Sequence, residues 1–140
     1  MKIKYPLAKE TINDQDIDAL CDWLKTYPRL TKSDLTLEVE SEWAKFIGTK
    51  YSLFNNSGSS ANLLMVYAAM AAGRINNKKI AVPATGWCTT ISPAMQLGLT
   101  PIMVGTDKDT YGMDLDKLEK VCKTTKPDAV IFVQVLGVPH

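Results

Sequence analysis

The sequence predicts an α/β fold with a helical N-terminal arm. From Tyr51 onward, short apolar runs alternate with segments of helical periodicity, the pattern of a sheet wrapped by helices. The run Ala129-Val130-Ile131-Phe132-Val133-Gln134-Val135 is apolar almost throughout, as expected of a parallel strand covered on both faces. Ahead of Tyr51 the patterning is helical. The implied division is an arm over residues 1–48 and an α/β domain over residues 49–140.

Each element has a local reason. Asn13 is placed to cap a helix carrying Ile17, Leu20, Cys21 and Leu24 on one face, and Pro28 ends it. A second helix runs from about Thr36, with Val39, Trp43, Phe46 and Ile47 as its stripe and Gly48 as its stop. A short strand is expected over 51–54, then a serine-rich turn and an apolar helix over 62–72 closed by Gly73. Residues 79–82 read as a buried strand ended by Pro83. The segment 89–97 reads as a helix, with Pro93 best tolerated in its first turn. A strand over 101–104 leads into a polar loop, 105–111, and Asp114 caps a helix bearing Leu115, Leu118, Val121 and Cys122.

Composition narrows the function classes. Sixteen basic residues, only Arg29 and Arg74 of them arginine, face fifteen acids for a formal charge of +1. The charges are interspersed, so nothing favours nucleic acid or an anionic membrane. The N-terminal Met1-Lys2-Ile3-Lys4-Tyr5-Pro6 lacks the apolar run of a signal peptide, and no stretch approaches the roughly 20 apolar residues of a membrane span. Cys21, Cys88 and Cys122 form no CxxC pair, which predicts reduced, mostly buried thiols in a cytoplasmic protein. With His140 the single histidine, a zinc site has too few ligands at suitable spacing.

Two segments carry the chemistry. In Asn56-Ser57-Gly58-Ser59-Ser60-Ala61, a turn opening a helix points backbone N–H groups at one spot and adds the dipole's positive end, worth about +0.5 charge. Gly58 has no Cβ to hold an anion off, and the serine hydroxyls are further donors, so a phosphate suits the turn. Serine also caps helices for purely structural reasons. The second segment, Pro83-Ala84-Thr85-Gly86-Trp87-Cys88-Thr89-Thr90, follows a strand, and in a parallel sheet such loops gather at the carboxyl edge where ligands bind. Taken alone, Trp87 reads as an ordinary core aromatic. Beside a phosphate cradle, an indole suits a flat aromatic phosphate ester, of which pyridoxal phosphate is one.

These motifs carry a resemblance. The chain resembles the N-terminal part of the DegT/DnrJ/StrS family of pyridoxal-phosphate enzymes, which act on nucleotide-linked keto sugars. Leu30-Thr31-Lys32, followed by Glu38-Val39-Glu40-Ser41-Glu42-Trp43-Ala44-Lys45-Phe46-Ile47-Gly48, is similar to the family's N-terminal segment. Asn56 to Met65 is similar to its phosphate turn, Pro83 to Thr90 to its Pro-x-x-x-aromatic loop, and Val130 to Pro139 to its Val-x-x-x-Gly-x-Pro strand end. The resemblance implies part of the large domain of a type I (aspartate aminotransferase-like) pyridoxal-phosphate fold. It implies Gly58 and Ser59 on the cofactor phosphate, Trp87 stacked on the ring and Gln134 near it. It places Thr31 and Lys32 at the sugar entrance. It also implies a homodimer using the pyridoxamine phosphate form on a nucleotide-linked keto sugar.

Within the family, the Asn-Ser-Gly-Ser-Ser-Ala-Asn-Leu-Leu-Met run and the Trp-x-Thr-Thr loop resemble the sugar 3-dehydratases more than the aminotransferases. The former carry His where the latter carry the Lys that binds the cofactor covalently; a His only shuttles the proton. That residue, and the carboxylate that pairs with the pyridinium nitrogen, are expected beyond residue 140. Leu136-Gly137-Val138-Pro139-His140 reads as the loop after a central strand, with no helix to complete the crossover. The expectation is therefore the N-terminal portion of a longer enzyme, inactive by itself. The alternatives are an inactive remnant of this fold serving as a dimerisation module, and a nicotinamide-binding unit, whose G-x-G-x-x-G pattern is absent.

Overall fold

The structure, a computed structural model, describes residues 9–139, so the readings made on Met1–Pro6 and on His140 lie outside the described residues. The chain forms two compact units, one reaching to Phe54 and one beginning at Asn55.

In the first unit, α1 spans Asp14–Leu24. Asn13 accepts from the N–H groups of Gln15 and Asp16 while Asp16 accepts from the N–H of Asn13, a reciprocal capping box. The second helix, α2, spans Asp34–Ile47 and ends at Gly48, whose φ of 80° lets its N–H turn back to the carbonyl of Ala44 at 3.0 Å. The stripes expected on these helices exist but stay open: Ile17, Leu20, Val39, Trp43 and Phe46 are exposed, and only Ala44 is buried. Residues 51–54 are not a strand. The N–H of Phe54 goes to the Glu40 carboxylate at 2.9 Å, and the carbonyl of Tyr51 accepts from the Thr49 hydroxyl at 3.1 Å, so side chains take the bonds a neighbouring strand would have made.

The second unit holds α3 (Gly58–Ala71), β1 (Lys79–Pro83), α4 (Cys88–Gln96), β2 (Thr100–Val104), α5 (Leu115–Thr124) and β3 (Ala129–Val130). The strands are parallel in the order β2-β1-β3, with Ile80 opposite Pro101 and Ala129. Right-handed crossovers that run in opposite directions across a sheet, here β1 to β2 and then β2 back past β1 to β3, put their helices on opposite faces, and the packing agrees. Ile80 and Val82 join Val66 of α3 and Ala94 of α4 in one core, whereas Ala81 faces Val104, Met113 and the α5 residues Leu118 and Val121 in the other. Burying a side chain such as Ile80, 1% exposed, stabilises by about 1.5–3 kcal/mol.

Three further expectations are corrected. Regular pairing of β3 stops at Val130 although the apolar run continues to Val135. Ala81 bonds toward β3 by accepting from the N–H of Ile131 at 2.9 Å. Alternate residues of a strand bond to the same neighbour, so the next β1 position facing β3 is Pro83, which has no N–H to offer. Pro93 lies in the second turn of α4 rather than its first, and is fully buried. The three cysteines are free and exposed, not buried, because Cys21 lies on the open α1 and neither Cys88 nor Cys122 belongs to a core.

At the amino edge of the sheet, the Asp128 carboxylate accepts from the N–H groups of Asn76 at 2.6 Å and Asn77 at 2.7 Å. The two N–H groups, Asn77 first, hold its carboxyl below the ordinary value against partial desolvation. Among the described residues no helix is long and apolar enough to cross a membrane, and no group of three potential metal ligands occurs.

Candidate functional site

The α3 helix begins at Gly58, one turn earlier than its apolar pattern suggests, because Ser57 caps it. The Ser57 hydroxyl accepts from the N–H of Ser60 at 3.2 Å, and the Ser57 carbonyl accepts from Ala61 at 3.0 Å. The N–H groups at the first helical positions have no carbonyl one turn back to bond. Here those positions are Gly58 and Ser59, both exposed. A Cβ built on Gly58 meets nothing within 4 Å, and Gly58 is not among the glycines of positive φ. Neither packing nor backbone strain requires glycine there, and open space lies over the N–H of the first turn.

Trp87 is the N-cap residue of α4, and its carbonyl accepts from the N–H of Thr90 at 2.9 Å. Its indole is 75% exposed, so the core-aromatic reading does not hold. The two helices start at the same edge of the sheet: α3 runs into β1 and α4 runs out of it, so both lie antiparallel to that strand. The second turn of α3 is joined to the first turn of α4 by the Asn62 side-chain amide, which donates to the Thr89 carbonyl at 3.2 Å. The loop leaving β1 enters the α4 face while the chain leaving β2 enters the α5 face, the divergence that opens a crevice at the carboxyl ends of parallel strands.

Gln134 is exposed, beyond the carboxyl end of β3, and precedes a short 3-10 turn at Val135–Gly137. Thr31 and Lys32, in the first unit, line a cleft of about 490 Å³ with Trp23, Arg29, Ser33 and Phe54. There the Arg29 guanidinium donates to the Thr31 hydroxyl at 2.7 Å, and the Lys32 ammonium lies 3.4 Å from Glu40. The N–H of Phe54, and more weakly Lys32, hold the Glu40 carboxyl below its ordinary value against desolvation. Asp107 and Asp114 serve the chain itself, the first bonding the N–H groups of Asp109 and Thr110 and the second capping α5.

Chemically, paired N–H groups at a helix start hold an anion, and a nearby exposed indole offers a face to an aromatic ring. The residues present thus fit a flat phosphate ester. Sequence reasoning missed Asn62. The available signal was an amide at the head of the helix's apolar run, one turn past Gly58.

The chain is similar to proteins of known activity and structure. The 3-dehydratase of GDP-4-keto-6-deoxy-D-mannose from Yersinia pseudotuberculosis is 35% identical over 141 residues, covering 99% of this chain and 35% of that protein. Its counterpart from Escherichia coli O55:H7 is 37% identical over 142 residues, covering 99% and 36%. The solved structure of the E. coli GDP-4-keto-6-deoxy-D-mannose-3-dehydratase with bound hydrated PLP superposes with a TM-score of 0.76 at 34% identity, over 86% of this chain and 31% of that one. The chain spans about a third of the length of the curated relatives it matches. Its parallel sheet with helices on both faces is part of the α/β large domain of type I pyridoxal-phosphate enzymes. The profile of the DegT/DnrJ/EryC1/StrS aminotransferase family matches residues 11–140, and the chain belongs to that family.

Proposed function

We propose that this chain is the N-terminal portion of an enzyme that uses pyridoxamine or pyridoxal phosphate on a nucleotide-linked 4-keto-6-deoxy sugar, removing the 3-hydroxyl in preference to transferring an amino group. The observation that carries the reading is the pairing of two helix starts at one sheet edge, one presenting the N–H groups of Gly58 and Ser59 and the other bearing the exposed Trp87. The 3-dehydratase relatives support the choice of reaction.

In this reading Gly58 and Ser59 bind the cofactor phosphate through the α3 dipole and their N–H groups, and the Ser59 hydroxyl adds a donor. Trp87 covers one face of the ring, fixes its plane and excludes water from that face. Gln134 approaches the ring from the end of β3, and Thr31 and Lys32 meet the nucleotide sugar. When bound, the cofactor supplies the electron sink on which loss of a sugar hydroxyl depends. The Lys or His that moves the proton, and the carboxylate for the pyridinium nitrogen, lie beyond residue 140. The working form is a cytoplasmic homodimer.

The test uses protein expressed from the complete open reading frame, supplied with pyridoxamine phosphate, an amino donor and GDP-4-keto-6-deoxy-D-mannose. A product lacking the 3-hydroxyl supports dehydration, and one bearing an amino group at position 4 moves the assignment to amino transfer. Failure to take up the cofactor at all favours a non-enzymatic relative that keeps the fold.

A further inference from the structure

Asn62 lies one turn beyond Gly58 and one turn before Val66, so the three share one face of α3 at the i, i+4, i+8 spacing. Val66 is 3% exposed and packs in the same core as Ala94 and Ile91 of α4, which shows that this face meets α4. At its open end stands Gly58, and between the core and that end Asn62 is half-buried and bonded across the helix boundary to Thr89.

The acceptor is unusual for a definite reason. A helical carbonyl normally receives the N–H four residues on, and for Thr89 that residue is Pro93, which has none. Proline in the second turn of α4 therefore frees the Thr89 carbonyl, and the Asn62 amide supplies the donor from the neighbouring helix. Thr89 lies two residues past Trp87, whose own carbonyl is fastened to the first turn of α4 by Thr90. The two ends of the candidate site are built independently: Ser57 and the α3 backbone shape the anion cradle, and α4 carries the indole. The geometry points to Asn62 as a positioning residue that, through the acceptor Pro93 leaves open, sets Trp87 in register with the Gly58–Ser59 cradle. This rests on the cofactor reading given above.

The test is run on protein from the complete open reading frame, with Trp23→Phe and Trp43→Phe introduced so that the indole of Trp87 can be followed on the N-terminal segment. Two ligands are titrated, inorganic phosphate, which needs only the cradle, and pyridoxamine phosphate, which needs cradle and indole together. Asn62→Leu keeps much of the shape but removes the donor without adding charge, and Asn62→Ala removes the side chain. Both are expected to leave phosphate affinity within about twofold while weakening pyridoxamine phosphate about three- to tenfold, inside the roughly 2- to 12-fold range a neutral hydrogen bond spans. The quenching of Trp87 emission at saturation falls as well. Pro93→Ala restores a helical donor to Thr89 without touching Asn62, and is expected to lower that quenching too. Trp87→Ala costs less cofactor affinity in the Asn62→Ala background than alone, as coupled residues require. Equal loss of both ligands shows a merely structural role and overturns the inference. So does unchanged cofactor affinity and quenching in a protein where Trp87→Ala is damaging, and the functional reading then stands. Absence of cofactor uptake by the unsubstituted protein overturns both.

Discussion

Replacing Gly58 with alanine sets stability against binding at a single atom. A methyl group there meets nothing within 4 Å, and the residue is not in the left-handed region, so the folded chain accepts it without strain. Alanine is the better helix former, by at most about 1 kcal/mol in a helix interior and less in a first turn. The thermal midpoint of Gly58→Ala should therefore hold or rise slightly. The same methyl crowds the approach of a phosphate to the first-turn N–H groups. Losing one hydrogen bond to a charged group costs about 1.5–3 kcal/mol, which corresponds to roughly a 10- to 150-fold weaker affinity. Thermal unfolding followed by circular dichroism, beside titration with pyridoxamine phosphate, reads both quantities on one sample. Unchanged affinity would show that the phosphate does not approach this N–H. A drop in stability by more than about 1 kcal/mol would contradict the open space over Gly58.

Further outcomes follow from the same geometry. Trp87→Ala should weaken pyridoxamine phosphate about 2- to 12-fold from lost stacking alone, with Trp87→Phe recovering most of it, as read by equilibrium titration. Ile80→Ala, at a position 1% exposed between two helices, should cost about 2–5 kcal/mol in denaturant unfolding. Asp128 has a folded pKa below its ordinary 3.8, so its contribution to stability is present above that value and disappears as pH falls through the lower folded value. The difference in thermal midpoint between the unsubstituted protein and Asp128→Asn should accordingly be constant above about pH 5 and shrink below it; a difference that grows in acid would refute the assignment. Cys88 adjoins Trp87 and is exposed, so pyridoxamine phosphate should slow its alkylation, measured by peptide mass spectrometry, while leaving Cys122 unaffected.

What could be read in the sequence depended on the range of the responsible interaction. The caps at Asn13 and Asp114 and the left-handed stop at Gly48 act within a turn of the residue itself, and the structure has them where expected. The strands β1 and β2 were legible because apolar runs bounded by Pro83 and Gly105 leave few alternatives. Residues 51–54 were misread because the acceptor for Phe54 is a carboxylate fourteen positions earlier. The early stop of β3 has its cause in Pro83, on another strand. Serine capping and phosphate binding are compatible accounts of one turn, because Ser57 caps α3 while Gly58 and Ser59 stay exposed at its first positions. The exposure of Trp87 depends on what packs beside the loop, and periodicity carries no such information. Asn62 was hidden for the opposite reason: it heads the apolar run of its helix, and its meaning requires Pro93 on a different helix.

The Asp128 clamp has a consequence for how this unit tolerates change. Parallel strands all enter a sheet along one rim and leave along the other. Here the entry rim is stitched by Asp128 to Asn76 and Asn77, and by the N–H of Thr100 to the carbonyl of Lys78. The exit rim carries Trp87 and the start of α3. With the site proposed above, mechanical anchorage and ligand chemistry occupy opposite ends of the same three strands. Substitutions that stiffen the entry rim can offset losses incurred by remodelling the exit rim for a different ligand, with neither group of side chains touching the other.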